Sequence, residues 1–194
     1  MSELQGLKPQ EIGKLLAAVE DVRDCAIIVL GLRHGFRSSE IADLELSDLD
    51  VENGMIRVER GKGSETNWHK ISNVRPYFEL DVLRNALAAR PADLSPYVFV
   101  SQKGGRLHRS QIFRIFQQAA RKAGLPRQKQ HYHCCKHTGA FSMLKAGASV
   151  AEVQKYFGWK SLATVGRYLA VTDETAGVAA DKAEQVLADA MRAA

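Results

Sequence analysis

The chain has 194 residues, 45% of them hydrophobic and 25% charged, with 27 basic against 22 acidic side chains. That length supports one domain burying roughly two thirds of its extended surface without a metal or disulfide staple, and the composition is that of a water-soluble protein. No apolar run approaches the roughly 20 residues of a membrane-spanning helix, no secretory leader is read at the start, and three cysteines, two of them adjacent, cannot form a disulfide framework, so a reducing cytoplasm is expected.

In chain order, Pro9 suits the first turn of a helix that continues through Ile12, Leu15, Leu16 and Val19 at helical spacing. A second helix is expected in "DVRDCAIIVLGLRHG", broken by Gly35, and Ser38 or Ser39 is expected to cap a short third one, which puts Arg37 at a helix entrance. The period then changes. Asn53-Gly54 is a turn signal, "MIRVER" alternates, and "GKGSET" makes a second turn before "NWHKIS", so a small antiparallel sheet is expected with Lys62 in a connecting loop. Helical patterns resume at "ELDVLRNALAAR" and "RSQIFRIFQQAARKAG", the second stopped by Gly124 and Pro126, with "SPYVFV" as an edge strand between them. From His133 a helix runs to Ala146, a Ser149-capped helix comes next, and a further short helix leads to Tyr168. Residues 176–194 carry a separate stripe (Val178, Val186, Leu187, Met191) fit to dock on its own domain or on another protomer. The fold class read from this order is α+β, mainly helical, with a small antiparallel sheet, as a main domain over 1–175 and a tail helix over 176–194.

Charge is unevenly placed. Up to residue 52 there are eleven carboxylates against five Lys/Arg, whereas from Leu94 to Ala151 there are ten Lys/Arg and no carboxylate. A stretch that cannot balance its own charge favours a surface held against phosphates, so a nucleic acid is the expected partner, the alternative being a basic face that only keeps the protein in solution.

Residues 131 to 137, "HYHCCKH", pack five soft-metal ligand types into seven positions. A zinc site needs ligands converging from separate places, yet no distant pair accompanies them, no Glu stands in an H-E-x-x-H position, and Lys136 would add a positive charge at the centre. No metal and no other cofactor is expected.

The same residues make better sense together with the downstream sequence. His133, Lys136, His137-Thr138, Phe157-Gly158 before Trp159, and Tyr168 resemble the second conserved region of the tyrosine recombinases, the phage integrase family, whose pattern runs H-x-L-R-H-T, then L-G-H, then a tyrosine nine residues on. "GLRHGFRSSEIADLELSDLD" resembles the stretch carrying that family's first arginine, which falls on Arg37, and "RVERGKGSETNWHKI" resembles the strand and turn carrying its lysine, which falls on Lys62. The resemblance covers about residues 7 to 175 with the motifs in the family's order.

The resemblance implies a site-specific DNA recombinase of integrase or invertase type. Attack by Tyr168 on a phosphodiester would give a 3'-phosphotyrosyl link, and because each step is a transesterification no metal or ATP is called for. Arg37 would hold the phosphate with its planar fork, Lys62 would protonate the leaving 5'-oxygen, His133 would bond the phosphate or take the tyrosine proton, Trp159 would donate its indole N–H where most of the family has histidine, and Arg167 would help hold the DNA backbone. Lys136 stands where the family has its second arginine, keeping the charge and losing the fork.

The alternative is a DNA-binding regulator that retains the fold with weak or no catalysis; a type IB topoisomerase is a third reading. The chain begins almost at the catalytic domain, so it is expected to be either a fragment or a short recombinase similar to the fimbrial phase-variation invertases. The expected partners are DNA, further copies of the chain in a dimeric or tetrameric synapse, and DNA-bending accessory proteins, in a cytoplasmic, nucleoid-associated setting.

Overall fold

The computed structural model of the chain describes residues 6–61, 65–75, 78–92, 95–161, 168 and 184. Lys62, Arg167, the segment leading to Tyr168 and, apart from residue 184, the expected tail helix lie outside the described residues.

Helix α1 (Pro9–Ala17) begins at its proline, and the Glu11 side chain accepts from the Lys8 amide at 2.7 Å. Helix α2 (Val22–His34) is capped by Asp21, whose carboxylate accepts from the Asp24 amide at 3.0 Å, and it stops at Gly35 in the left-handed region at φ 63°. Its middle, Ala26 to Leu32, is buried on every side, as befits the central helix, and α2 packs against α4 (Glu79–Ala88) and α6 (His133–Lys145). Helix α3 (Ser38–Asp43) lies on α5 (Arg109–Lys122), which also meets α1 and α2, while α7 (Val150–Phe157) packs on α6.

Neither Ser38 nor Ser39 caps α3. Arg37 occupies the capping position, and the Glu40 carboxylate accepts from its backbone N–H at 2.8 Å, satisfying an amide that the helix start leaves without a partner.

The sheet is antiparallel with order β1-β2-β3: β1 (Leu49–Asp50), β2 (Met55–Val58) and β3 (Asn67–Lys70), with Leu49 opposite Ile56 and Ile56 opposite His69. Ile56, Val58 and His69 point inward while Arg57 and Trp68 pair on the outer face, which is the period-2 alternation that the sequence carries. The segment "SPYVFV" does not add a strand. It bonds beside the Leu44–Leu46 turn instead, through Leu46 N–H to Pro96 O and Val98 N–H to Leu44 O, both 2.8 Å. Only isolated bridges form, Tyr97 with Glu45 and Val100 with Arg106. Pro96 has no N–H to donate, and the opposing chain turns into a 3-10 segment at Leu46, so a ladder cannot extend.

The main core gathers α1 to α5, the sheet and the first residues of α6, whereas a smaller apolar cluster holds Ala140, Leu144, Val153, Phe157, Trp159 and Tyr168. Gly35 and Gly158 let these two regions close on one another. A Cβ on Gly35 would lie 2.3 Å from the Phe157 ring, and one on Gly158, at φ 61°, would lie 2.7 Å from Glu65 O.

Candidate active site

Arg37 stands at the entrance of α3. Its side chain is 39% exposed and forms an ion pair with Glu40, which is buried. Glu40 also accepts from Arg60 Nη1 at 3.0 Å, and Arg60 further donates to Gly35 O at 2.9 Å and to His34 O at 2.6 Å. One buried carboxylate thus ties together two guanidiniums and the end of α2. Burial alone would raise the Glu40 pKa, but the Arg37 amide and the charges of Arg60 and Arg37 outweigh it and hold the carboxyl below its ordinary range.

Helix α6 brings His133, Lys136 and His137 to the same place. Lys136 is 2% exposed, with Nζ 5.5 Å from the Trp159 ring centre and 5.8 Å from that of Phe157. Burial foremost, then the charges of Arg60 and Arg37, pull its pKa down to about 7. Burial and then Lys136, His131 and Arg37 lower His133. The rings of His133 and His137 meet edge-on at 4.5 Å, one helical turn apart.

Tyr168 closes the group. Its hydroxyl is 2.5 Å from His137 Nδ1, its ring stacks on Trp159 at 5.3 Å and 18°, and Phe141 meets it edge-on at 5.1 Å. Trp159 in turn stacks on Phe157 at 5.2 Å. Arg37, His133, Lys136, Trp159 and Tyr168 therefore form one connected neighbourhood, drawn from the start of α3, from α6, and from the chain beyond α7. Lys62 lies outside the described residues, but the described segments on either side of it reach this place. Arg60 is pinned as above, Glu65 O abuts Gly158, and Asn67 Nδ2 donates to Lys155 O at 3.0 Å.

Three participants have no role assigned from the sequence. Glu40 had a signal, a carboxylate three residues after the capping position, and His137 had one in its i+4 spacing from His133. Arg60 had none. In the "HYHCCKH" run the cysteines turn away: Cys134 and Cys135 are both fully buried, and burial raises both thiols, Cys134 to about 11.

Strand β3 is anchored from behind by a buried polar cluster. His69 Nδ1 is 3.0 Å from His34 Nδ1, His34 Nε2 is 2.6 Å from Glu79 Oε1, and the His69 ring stacks on Tyr156 at 3.9 Å. Burial first, then His34 and Arg60, depress His69 to about 3; burial, His133, His131 and Lys136 depress His137 to about 4. Both rings are therefore held neutral, and in acid the unfolded chain binds protons that the folded chain refuses. Stability is expected to fall as pH drops below about 6.5, at up to about 1.4 kcal/mol per pH unit for each ring, with the loss continuing toward the depressed folded values. Urea unfolding at a series of pH values checks this; a midpoint unchanged between neutrality and pH 4.5 or so would contradict it.

The ten basic residues between Leu94 and Ala151 do not all serve one surface. Lys136 is buried, Lys129 is buried against Glu11 at 2.7 Å, and Arg106 and Lys122 pair with Asp43 and Glu20. Lys103, Arg109, Arg114, Arg121, Arg127 and Lys145 stand exposed. No helix among the described residues is long and apolar enough to cross a membrane.

This fold and this cluster define a class. The phage integrase family model matches residues 5–175, and the chain belongs to that family, the site-specific tyrosine recombinases. Among particular relatives, it is 30% identical over 178 residues to the type 1 fimbriae regulatory protein FimE of Escherichia coli, a match covering 88% of this chain and 87% of that protein. It is 31% identical over 173 residues to the tyrosine recombinase XerA of Pyrococcus furiosus, covering 87% of this chain but 58% of that one. A crystal structure of a XerA recombinase superposes with a TM-score of 0.75 at 29% identity, over 84% of this chain and 58% of that one. A XerH site-specific recombinase bound to its palindromic difH substrate in a post-cleavage complex shares the fold, with a TM-score of 0.77 at 24% identity over 94% of this chain and 54% of that one.

Proposed function

We propose that this chain is an active recombinase that cleaves and rejoins double-stranded DNA through a covalent link to Tyr168. The observation that carries the reading is the joint burial of Tyr168 and the Lys136 ammonium, both against Trp159, beside an arginine fixed by a buried carboxylate. A phosphate undergoing in-line attack gathers negative charge on its non-bridging oxygens, and fixed cations and N–H donors stabilise it most where water is excluded. In this reading Arg37 and Lys136 carry the charge, His133 and the Trp159 indole N–H donate to the phosphate, and His137 holds the tyrosine hydroxyl. Lys62, in sequence between two segments that converge here, protonates the leaving 5'-oxygen. Residues 176–194 are proposed to join protomers on DNA, and accessory DNA-bending proteins to set the outcome.

The test is a denaturing-gel assay for a covalent adduct, using nicked suicide duplexes drawn from the sequences flanking the gene, then mapping of the adduct to its residue. An adduct on Tyr168 supports the reading. Lys136→Arg restores the second fork, and one added charge-assisted hydrogen bond formed in the transition state raises the cleavage rate by about 10- to 100-fold. Tight binding of the same duplexes with no adduct from either protein would point instead to a DNA-binding regulator.

A further inference from the structure

Lys136 Nζ is enclosed and has no hydrogen-bond partner among the described residues. Among the described residues the groups around it are few. The Lys136 Cγ would meet a Cβ on Gly35 at 3.3 Å, and Arg60 donates to the carbonyl of that same glycine; the charges of Arg60 and Arg37 oppose the ammonium and that of Glu40 favours it. Helix α6 adds the His133 and His137 rings, Tyr168 sits on His137, and Tyr156 of α7 acts on Arg60. The one carboxylate in the set, Glu40, already accepts from the Arg37 amide, the Arg37 guanidinium and Arg60. An ammonium here is therefore dehydrated and, among the described residues, without a counter-ion of its own, under the field of two permanent cations.

Arg60 is the unusual member. Its side chain is 1% exposed and its donors go to Glu40 and to the carbonyls of His34 and Gly35, so it cannot reach out to a substrate. It lies two residues before Lys62 and fixes both the carboxylate that orients Arg37 and the near flank of the Lys62 loop.

We infer that Arg60 is a positioning residue which, besides orienting Glu40, keeps Lys136 ready to shed its proton in the empty site, so that when an ionised phosphate enters the site Lys136 takes up a proton from solvent. An anion supplies the missing counter-charge and restores the ammonium. The lysine in place of the family's arginine is then a proton-coupled phosphate clamp: charged when the phosphate is seated, discharged in the empty site once the pH passes neutrality. The burial and cationic neighbours that hold Lys136 to about 7 agree with this sense. The identity of the phosphate as DNA rests on the recombinase reading, whereas the titration belongs to the free chain.

The test is a side-chain NMR titration of the full chain with lysines labelled at Cε, from about pH 5 to 10, below and across the ordinary lysine range. One resonance, absent from Lys136→Arg, is expected to titrate near neutrality while the others remain charged. It is expected to move toward the others in Arg60→Gln, to stay in Arg60→Lys, and to move up in wild type when sodium sulfate is added as the anion probe. In the adduct assay, wild-type yield is expected to fall several-fold above neutrality, and that of Lys136→Arg to stay level. A Lys136 resonance charged through about pH 9, or one with the same midpoint in Arg60→Gln, overturns the inference. Should Arg60→Gln fail to fold, the wild-type midpoint and its sulfate shift decide alone. Absence of any adduct, with the titration as expected, sinks the recombinase reading and leaves the Arg60–Lys136 coupling standing.

Discussion

Tyr168→Phe is expected to abolish the covalent DNA adduct while leaving the fold and DNA affinity nearly intact. The ring is placed by contacts that phenylalanine keeps, the stack on Trp159 at 5.3 Å and the edge-on meeting with Phe141 at 5.1 Å. What is lost is one hydroxyl and its 2.5 Å bond to His137 Nδ1. Orphaning that nitrogen costs about 1 kcal/mol, too little to unfold a domain of this size. DNA affinity comes chiefly from Lys and Arg contacts to phosphates, and the variant removes none, so the Kd and its salt dependence are expected to hold within about twofold, or about 0.4 kcal/mol. The adduct, by contrast, loses the oxygen on which the proposed reading forms it. A gel with an undiminished adduct from Tyr168→Phe would show that the nucleophile lies elsewhere, and loss of adduct together with loss of binding would make Tyr168 a packing residue.

The sequence carried the helices and the hairpin because their signals are local. Pro9, Gly35, the Asn53-Gly54 turn, Gly124-Leu125-Pro126 and Ser149 act within a few residues, and the helix and strand boundaries fall beside them. It failed at "SPYVFV", whose β-rich composition was overruled by a partner that turns into a 3-10 segment, and at the Ser38-Ser39 pair, where Glu40 serves the Arg37 amide more strongly than a hydroxyl could serve its neighbour. The candidate site was legible where spacing along one helix or a family motif named the residue, as for Arg37, His133, Lys136, Trp159 and Tyr168. Arg60 was not, since a cation at the end of a strand looks like any solvated arginine. Only the folded chain sets it against Glu40 and the end of α2.

Glu40→Ala is expected to destabilise the protein by about 3 to 5 kcal/mol and to cut cleavage more than it cuts DNA binding. The Arg60 side chain is 1% exposed and that of Glu40 is 5% exposed, so removing the carboxylate leaves a guanidinium buried with only the carbonyls of His34 and Gly35 to receive it. For a chain of this size the Tm is expected to fall by roughly 10 °C. Arg37 loses both its side-chain partner and the acceptor of its backbone N–H, and its long side chain regains rotamers that must be frozen again in the transition state. Lys136 loses the one neighbour that favours its charged form, so the cluster becomes poorer in usable positive charge. A second substitution separates stability from chemistry. In Glu40→Ala combined with Arg60→Leu no buried guanidinium is stranded, and much of the lost stability is expected to return, yet Arg37 stays unheld and cleavage stays low. Urea unfolding and adduct yield, measured on the same preparations, check both halves: an unfolding curve for Glu40→Ala that overlays the wild type would remove the buried pair from any account of this fold, and a double variant that regains cleavage along with stability would show that Arg37 needs no carboxylate to find the phosphate.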